Sequence, residues 1–203
     1  MVYGIIIGMI VDNIKVYDGS YLRNRFAYDH FQEKTHPIGN IIAFRSPIFV
    51  DIKNLVDKKN ITMEDILVSD DAINFCMEIP NISLFAGICF QRLFNSALGN
   101  IIAADFLKCD VEIDGAAIIA HKEVQEEGII KTRGKVSVSD ATCVNGAVLI
   151  HTGINIVAGK KAPATAFSTK LSDEECVILM HKGIEMFYGI LQEIFVETTR
   201  KVL

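Results

Sequence analysis

No Cys-x-x-Cys pair, no block of lysine and arginine, no glycine-rich phosphate loop and no apolar run long enough to span a bilayer occur in this chain of 203 residues. Each absence removes a class of protein. The cysteines are odd in number (Cys76, Cys89, Cys109, Cys143 and Cys176) and sit inside apolar runs, which predicts reduced core residues of a cytoplasmic protein rather than a disulfide scaffold. The net charge is −5 and the bases are scattered, whereas a nucleic-acid-binding protein gathers them on one face. The N-terminal run "VYGIIIGMIV" is too short for a membrane span and lacks the basic flank of a signal peptide, so it reads as a buried strand. His30, His36, His121 and His181 show no ligand spacing with cysteine or carboxylate, and no metal site is expected. No repeat, low-complexity tract or linker divides residues 1–203, which are therefore expected to form one domain. With half of its residues apolar, a chain of this length can bury a large core without disulfides or a structural metal.

What is present is a strand-rich middle between a few helices. An early strand is expected over Ile5 to Tyr17, ending at "YDGS", with Ser20 capping a helix over roughly Tyr21 to Phe31. "NIIAFRSPIFVDI" (Asn40 to Ile52) reads as two short strands broken at Ser46-Pro47, because proline has no N–H for a central ladder. Asp71 to Ile79 is a further strand. Ser83 opens a helix with Phe90, Leu93, Phe94, Ala97 and Ile101 on one face. Strands follow one another from Asp110 to Ile156. "SDEE" then places Ser172 and Glu175 as a capping box ahead of a stripe of Ile184, Phe187, Tyr188, Leu191 and Phe195. The pattern predicts an α+β domain with a mostly antiparallel sheet.

The chemistry concentrates in "GKVSVSDATCVNGAVLIHTGIN" (Gly134 to Asn155). Asn145-Gly146 predicts a two-residue type I′ turn, and counting outward pairs Cys143 with Val148, Asp140 with His151, Ser139 with Thr152 and Lys135 with Ile156. Alternation then sets Lys135, Ser137, Ser139 and Thr152 on one face and Asp140, His151 and Asn155 on the other. Taken alone, the first set is most simply a solvated face, yet Lys135 shares it with Val148, Ile150, Ile154 and Ile156, so it either snorkels to an edge or points into a pocket. Asp140 opposite His151 is either a structural pair or an oriented imidazole. The same reading rejects a Cys143/His151 dyad, since the two lie on opposite faces.

Two other positions suit an anion. At "YDGSYLRNR" Ser20 and Arg23 flank a loop-to-helix step with free backbone amides, although a plain capped helix with exposed arginines is the simpler account of these residues. Arg45, inside the apolar "IIAFRSP", requires a carboxylate from the protein or from a ligand.

Four segments in combination resemble the domain of unknown function 366 family of prokaryotic proteins: "YDGSYLRNRFAY" (Tyr17 to Tyr28), "GNIIAFRSP" (Gly39 to Pro47), "QRL" (Gln91 to Leu93) and "GKVSVSDAT…VLIHTGINI" (Gly134 to Ile156). That family in turn resembles the biotin and lipoate protein ligases, which share a fold with the catalytic domains of class II aminoacyl-tRNA synthetases. The resemblance implies an α+β fold, a mostly antiparallel mixed sheet flanked by helices. It also implies that Lys135 matches the ligase lysine that contacts the carboxylate and acyl-adenylate, where a cation stabilises developing negative charge. By the same analogy Ser137, Ser139, Thr152 and Asn155 line the ligand pocket, with Ser20, Arg23 and Arg45 as candidate phosphate or carboxylate contacts, which favours the pocket account of the hairpin.

The chain departs from that pattern in lacking the Gly/Arg-rich adenylate loop, for which "FRSPIFVD" supplies only Arg45, and in lacking the synthetase arginine motifs. A lipoate-ligase or octanoyltransferase arrangement fits somewhat better, and "DGAAIIAHKEVQEEG" (Asp114 to Gly128) looks inserted. The expected protein is thus ligase- or acyltransferase-like, with Lys135 as catalytic cation, a small-molecule carboxylate as ligand and ATP with magnesium as candidate cofactor. The alternatives are a non-catalytic small-molecule-binding or sensor protein that has lost the adenylation machinery, and a structural subunit. A homodimer is compatible with this fold; neither membrane nor nucleic acid is an expected partner.

Overall fold

A computed structural model describes residues 8–56, 67–126 and 129–201. Along the chain, strand β1 (Gly8–Ile10) is followed by a 3-10 turn (Ser20–Leu22), the short helix α1 (Ala27–Phe31) and β2 (Asn40–Val50). Next come β3 (Leu67–Pro80) and helix α2 (Leu84–Ile101), which runs on as a π-helical stretch (Ile102–Leu107). The strands β4 (Asp110–Asp114), β5 (Ala117–His121), β6 (Val124–Glu126), β7 (Ile129–Lys131), β8 (Gly134–Lys135), β9 (Ser137–Val144) and β10 (Ala147–Val157) lead to the last helix, α3 (Asp173–Arg200).

The main sheet has the order β1-β2-β3-β10-β9 and is antiparallel except where β1 lies parallel to β2. A second sheet, β4-β5-β8, and the ribbon β6-β7 complete the strands. The fold is therefore α+β with a mixed, mostly antiparallel sheet flanked by helices. No described helix is long and apolar enough to cross a membrane.

Alternation along β2 and β3 makes the two cores. Ile41, Ala43, Ile73, Phe75 and Met77 face α2 and α3, meeting Phe90, Phe94 and Leu98 from the first and Leu179, Phe187 and Leu191 from the second. Ile42, Phe44, Ile48, Ala72 and Cys76 face the other way, against Tyr17, Leu22, Phe26 and Phe31. Strand β10 lies between β3 and β9 and is buried along nearly its whole length, so that even its polar residues His151, Thr152 and Asn155 lie inside. Full burial of each large side chain contributes about 1.5–3 kcal/mol.

Helix α3 approaches the sheet closely at Gly183, where an added Cβ would overlap the ring of Phe75. Gly183→Ala gains some helix propensity but forces that ring to move. The expected net loss is about 1–2 kcal/mol, seen as a lower urea midpoint at unchanged slope.

Several expected elements take a different form. The first strand is only Gly8–Ile10 among described residues, with Ile5 to Ile7 outside them, and Tyr17 makes an isolated bridge to Ile48. Ser20 does not cap a helix: it begins the 3-10 turn, and its own N–H donates to Asp18 Oδ1 at 2.9 Å. Asn40–Val50 is one strand rather than two, because the missing donor of Pro47 is absorbed by a register shift between Ser46 and Ile48. In α2 the buried face is Phe90, Gln91, Phe94, Asn95 and Leu98, whereas Leu93 is exposed; at the end of α3 Phe195 is exposed too. Cys76 and Cys176 are core residues, but Cys89 and Cys143 are exposed, so apolar surroundings in sequence did not imply burial. The capping box of Ser172 and Glu175 and the Ser83 cap are present as expected.

Candidate functional site

The β9–β10 hairpin has the register that its Asn-Gly turn dictates, with Val144 opposite Ala147 and Asp140 opposite His151, as far as Ser137 opposite Ile154. Beyond Ser137 the ladder ends, and Lys135 does not face Ile156. Val136 is fully buried and its carbonyl accepts the Asn155 N–H at 2.8 Å. The place opposite Ile156 is taken by the returning segment, where the Lys170 N–H donates to Ile156 O. Lys135 instead pairs with Ile119 of β5 and bridges to Ala166.

The backbone of Lys135 is held on both sides. Its N–H donates to Thr165 O at 2.7 Å, and its carbonyl accepts the Phe167 N–H at 2.9 Å and Asn155 Nδ2 at 3.3 Å. Asn155 is itself buried, its carbonyl accepting both the N–H and the hydroxyl of Thr169. The side chain of Lys135 is exposed and makes no hydrogen bond or ion pair among the described residues. A free ammonium thus stands on a rigid base.

Ser137, Ser139 and Thr152 are engaged with the protein interior. Ser137 Oγ accepts the Ile118 N–H at 2.8 Å. Gln91 Nε2 donates to Ser139 Oγ (2.8 Å), which bonds Thr152 Oγ1 (2.9 Å), which donates to Asn95 Oδ1 (2.9 Å). This chain of mutually polarising bonds fastens α2 to the hairpin. The shared face of Ser139 and Thr152 is therefore a helix-packing face, and Lys135 lies beyond its edge.

On the opposite face His151 is completely buried. Its ring stacks on Tyr17 with centroids 3.6 Å apart, and Nε2–H donates to Asn74 Oδ1 at 2.9 Å. Burial pushes its pKa down to about 3, so the ring is neutral near pH 7 and is oriented by an amide. Burial likewise pushes the Tyr17 phenol up, and its hydroxyl has no hydrogen-bond partner among the described residues.

The candidate anion-binding arginines find protein acceptors. Arg45 bonds Asp71 through Nε and Nη2 and Asp173 through Nη1 at 2.6 Å, and its guanidinium is pushed to a higher pKa by Asp71 and then Asp173. It ties the first turn of α3 to the sheet. Arg23 Nη2 donates to the carbonyls of Lys53 and Leu55 at 2.7 and 3.1 Å. Ser20 and Arg23 share one turn, the Arg23 N–H donating to Ser20 O at 2.9 Å, while Arg45 and Lys135 are held in two other local networks. Among the described residues no group of three or more His, Cys, Asp and Glu is arranged to hold a metal ion.

One constellation escaped the sequence reading. Glu78, near the end of β3, is 1% exposed in its side chain; Oε1 accepts Arg25 Nε and Nη2 at 2.7 Å, and Oε2 accepts the N–H groups of Phe26 and Ala27 at 2.8 and 2.9 Å. A glutamate in the apolar run "NFCMEIP" was the available signal, since a buried carboxylate needs such donors. Glu78 floors a cleft of about 580 Å³, and a second cleft of about 510 Å³ opens between α2 and α3 beside Leu93, Ile190 and Ile194. Lys135 lines neither of them.

Comparison with known proteins bears on the fold. A family model described as Domain of unknown function (DUF366) matches residues 7–202. No curated protein sequence matches. Among solved structures, a protein of unknown function from Pyrococcus horikoshii is similar with a TM-score of 0.76 at 18% identity, covering 97% of both chains. The LipL1 protein of P. falciparum, solved in complex with lipoate, gives 0.53 at 14% identity; the match covers 89% of this chain but only 60% of that one. A biotin protein ligase variant from Aquifex aeolicus, in complex with biotin, gives 0.54 at 11% identity over 91% of this chain and 71% of that one. At these identities the likeness establishes the biotin/lipoate ligase fold and nothing finer.

Proposed function

Because the chain belongs to the DUF366 family, whose function is unknown, membership supplies no reaction, and we propose from the site that it binds a small carboxylic acid, or the corresponding acyl-adenylate, at the Lys135 end of the sheet. The observation that carries this reading is the ammonium of Lys135, unpaired among the described residues, on a backbone held by Thr165, Phe167 and Asn155. A cation that no protein anion neutralises among the described residues suits a carboxylate, or the oxyanion of an acyl group in transfer. The similar solved proteins carry lipoate and biotin, both carboxylic acids, which guides the choice of ligands to try. If the site is catalytic, the reaction class is ligation or acyl transfer, with ATP and magnesium as co-reactants and Lys135 as the residue stabilising charge.

A second reading, a binding or sensor protein without chemistry, is favoured by Arg45. It is the sole arginine in the segment expected to close over an adenylate, and Asp71 and Asp173 already engage it.

The test is a thermal-shift panel of lipoate, biotin and octanoate, each with and without Mg-ATP, alongside pyrophosphate release. A ligand at about a hundred times its dissociation constant adds roughly 2.7 kcal/mol, or about 5–10 °C for a domain of this size. We expect a shift with a carboxylic acid that disappears in Lys135→Ala, while the unliganded melting curve of that variant is unchanged because the side chain is exposed. Pyrophosphate release selects the enzyme over the sensor. A flat panel, or a shift that survives Lys135→Ala, sinks the assignment.

A further inference from the structure

We propose that the cleft at the opposite end of the sheet is a separate binding site for the carboxylate of a small organic acid, with Arg25 as its anion-binding residue. This site is independent of the Lys135 reading. Glu78 pairs with Leu149 on β10, six residues before Asn155, which puts about 20 Å of strand between the two places.

The argument begins with how Arg25 is held. Glu78 takes Nε and Nη2 of the guanidinium at 2.7 Å, which fixes the plane of the group. The arginine side chain remains 45% exposed and lines the cleft, so Nη1 and the outer hydrogen of Nη2 stay available. Two parallel N–H groups in a fixed plane match the two oxygens of a carboxylate. Glu78 does not compete with such a ligand, because its own oxygens already accept from Arg25, Phe26 and Ala27. It also cancels the charge of Arg25, and the pair therefore offers direction more than net charge. That favours a monoanion over a doubly charged phosphate.

The other polar side chains of the lining, His36, Thr35, Tyr28 and Asn81, can each donate a hydrogen bond, although the hydroxyls and the Asn81 amide can also accept. Asn40 is engaged with the backbone of His36, accepting its N–H at 2.8 Å and donating to its carbonyl at 3.0 Å. His36 Nδ1 accepts the Ile38 N–H at 3.3 Å, which leaves its ring proton on Nε2, and burial lowers its pKa so that it stays a neutral donor. Thr35 and Tyr28 add hydroxyls. An ionised carboxylate only accepts hydrogen bonds, and so complements this set.

The body of the ligand is set by the walls. Pro37, Pro80 and the Tyr28 ring, 70% exposed, give the cleft flat apolar surfaces. Its volume of about 580 Å³ is that of a site for a small molecule. Acids with a compact aromatic or aliphatic body fit this description.

The experiment is an amide-resolved NMR titration of the whole chain with benzoate, hexanoate and inorganic phosphate. We expect saturable shifts from an organic acid at the amides of residues 25–28, 35, 36, 38–40 and 81, with phosphate at least tenfold weaker. Arg25→Lys keeps the charge on Glu78 but loses the fork, and should weaken binding tenfold or more while the rest of the spectrum is preserved. If that variant does not fold, the map on the native protein still decides. No saturable shift overturns the proposal, as do shifts confined to the surroundings of Lys135 and Asn155, or phosphate binding as tightly as the acids. Because the two ends are read at different amides, failure here is distinguishable from failure of the Lys135 assignment.

Discussion

Glu78→Ala is expected to lower the stability of the protein by about 3 kcal/mol, and its melting temperature by roughly 6–12 °C. The loss comes from the backbone. The N–H groups of Phe26 and Ala27 are buried and have Glu78 Oε2 as their acceptor. Each would be left without a partner at a cost of about 1–3 kcal/mol. Arg25 contributes less, because its side chain is already 45% exposed and can turn to water. Glu78→Gln separates shape from charge: its carbonyl still serves the two amides, but its NH2 is set against the guanidinium. About half the loss is expected. Equilibrium unfolding in urea checks both variants. A loss below about 1 kcal/mol in Glu78→Ala would mean that water entering from the cleft replaces the carboxylate.

The same residue marks the limit of what the sequence makes legible. The hairpin could be placed residue by residue because a two-residue turn fixes every pairing outward from it, and the ladder from Val144 to Ser137 follows that count. The caps at Ser83 and Ser172 were legible for a similar reason, since the donor and acceptor lie three residues apart. Legibility ended where a distant segment intervened. Lys135 leaves the ladder because residues 165–170 occupy its place, and nothing in "GKVSVS" announces that. Alternation correctly put Ser139 and Thr152 on one face but could not say that α2 covers it. The need of Arg45 for an anion was readable, whereas Asp173, 128 residues away, was not. Glu78 and Arg25 stand 53 residues apart and were missed altogether. Local chemistry is written in the sequence; the partner of a buried charge is fixed by topology.

Acid should unfold this protein partly through His151. The folded imidazole has a pKa of about 3 because burial penalises its charged form, against 6.5 for an ordinary histidine. Tyr17 stacks on it, Asp140 faces it across the ladder and Cys76 pairs with it on β3, and burial outweighs the one carboxylate among them. Below pH 6.5 the unfolded chain therefore takes up a proton that the folded chain refuses. The sign follows directly: stability is level above pH 6.5 and falls as the pH drops toward 3, with about 3 kcal/mol lost at pH 4 relative to pH 7 through this group. His30 and His36, also lowered by burial, act in the same direction and must be separated from it. His151→Gln does so, since it retains a donor for Asn74 and cannot titrate. At pH 7 the variant should be less stable by about 1–2 kcal/mol through lost stacking. Its deficit should shrink and then reverse as the pH falls, since it lacks the proton uptake that destabilises the native protein. Urea midpoints at pH 7, 5.5 and 4 measure the crossing. Parallel pH profiles for the two proteins would show that His151 protonates in place, and that the stack on Tyr17 opens to water without unfolding the sheet.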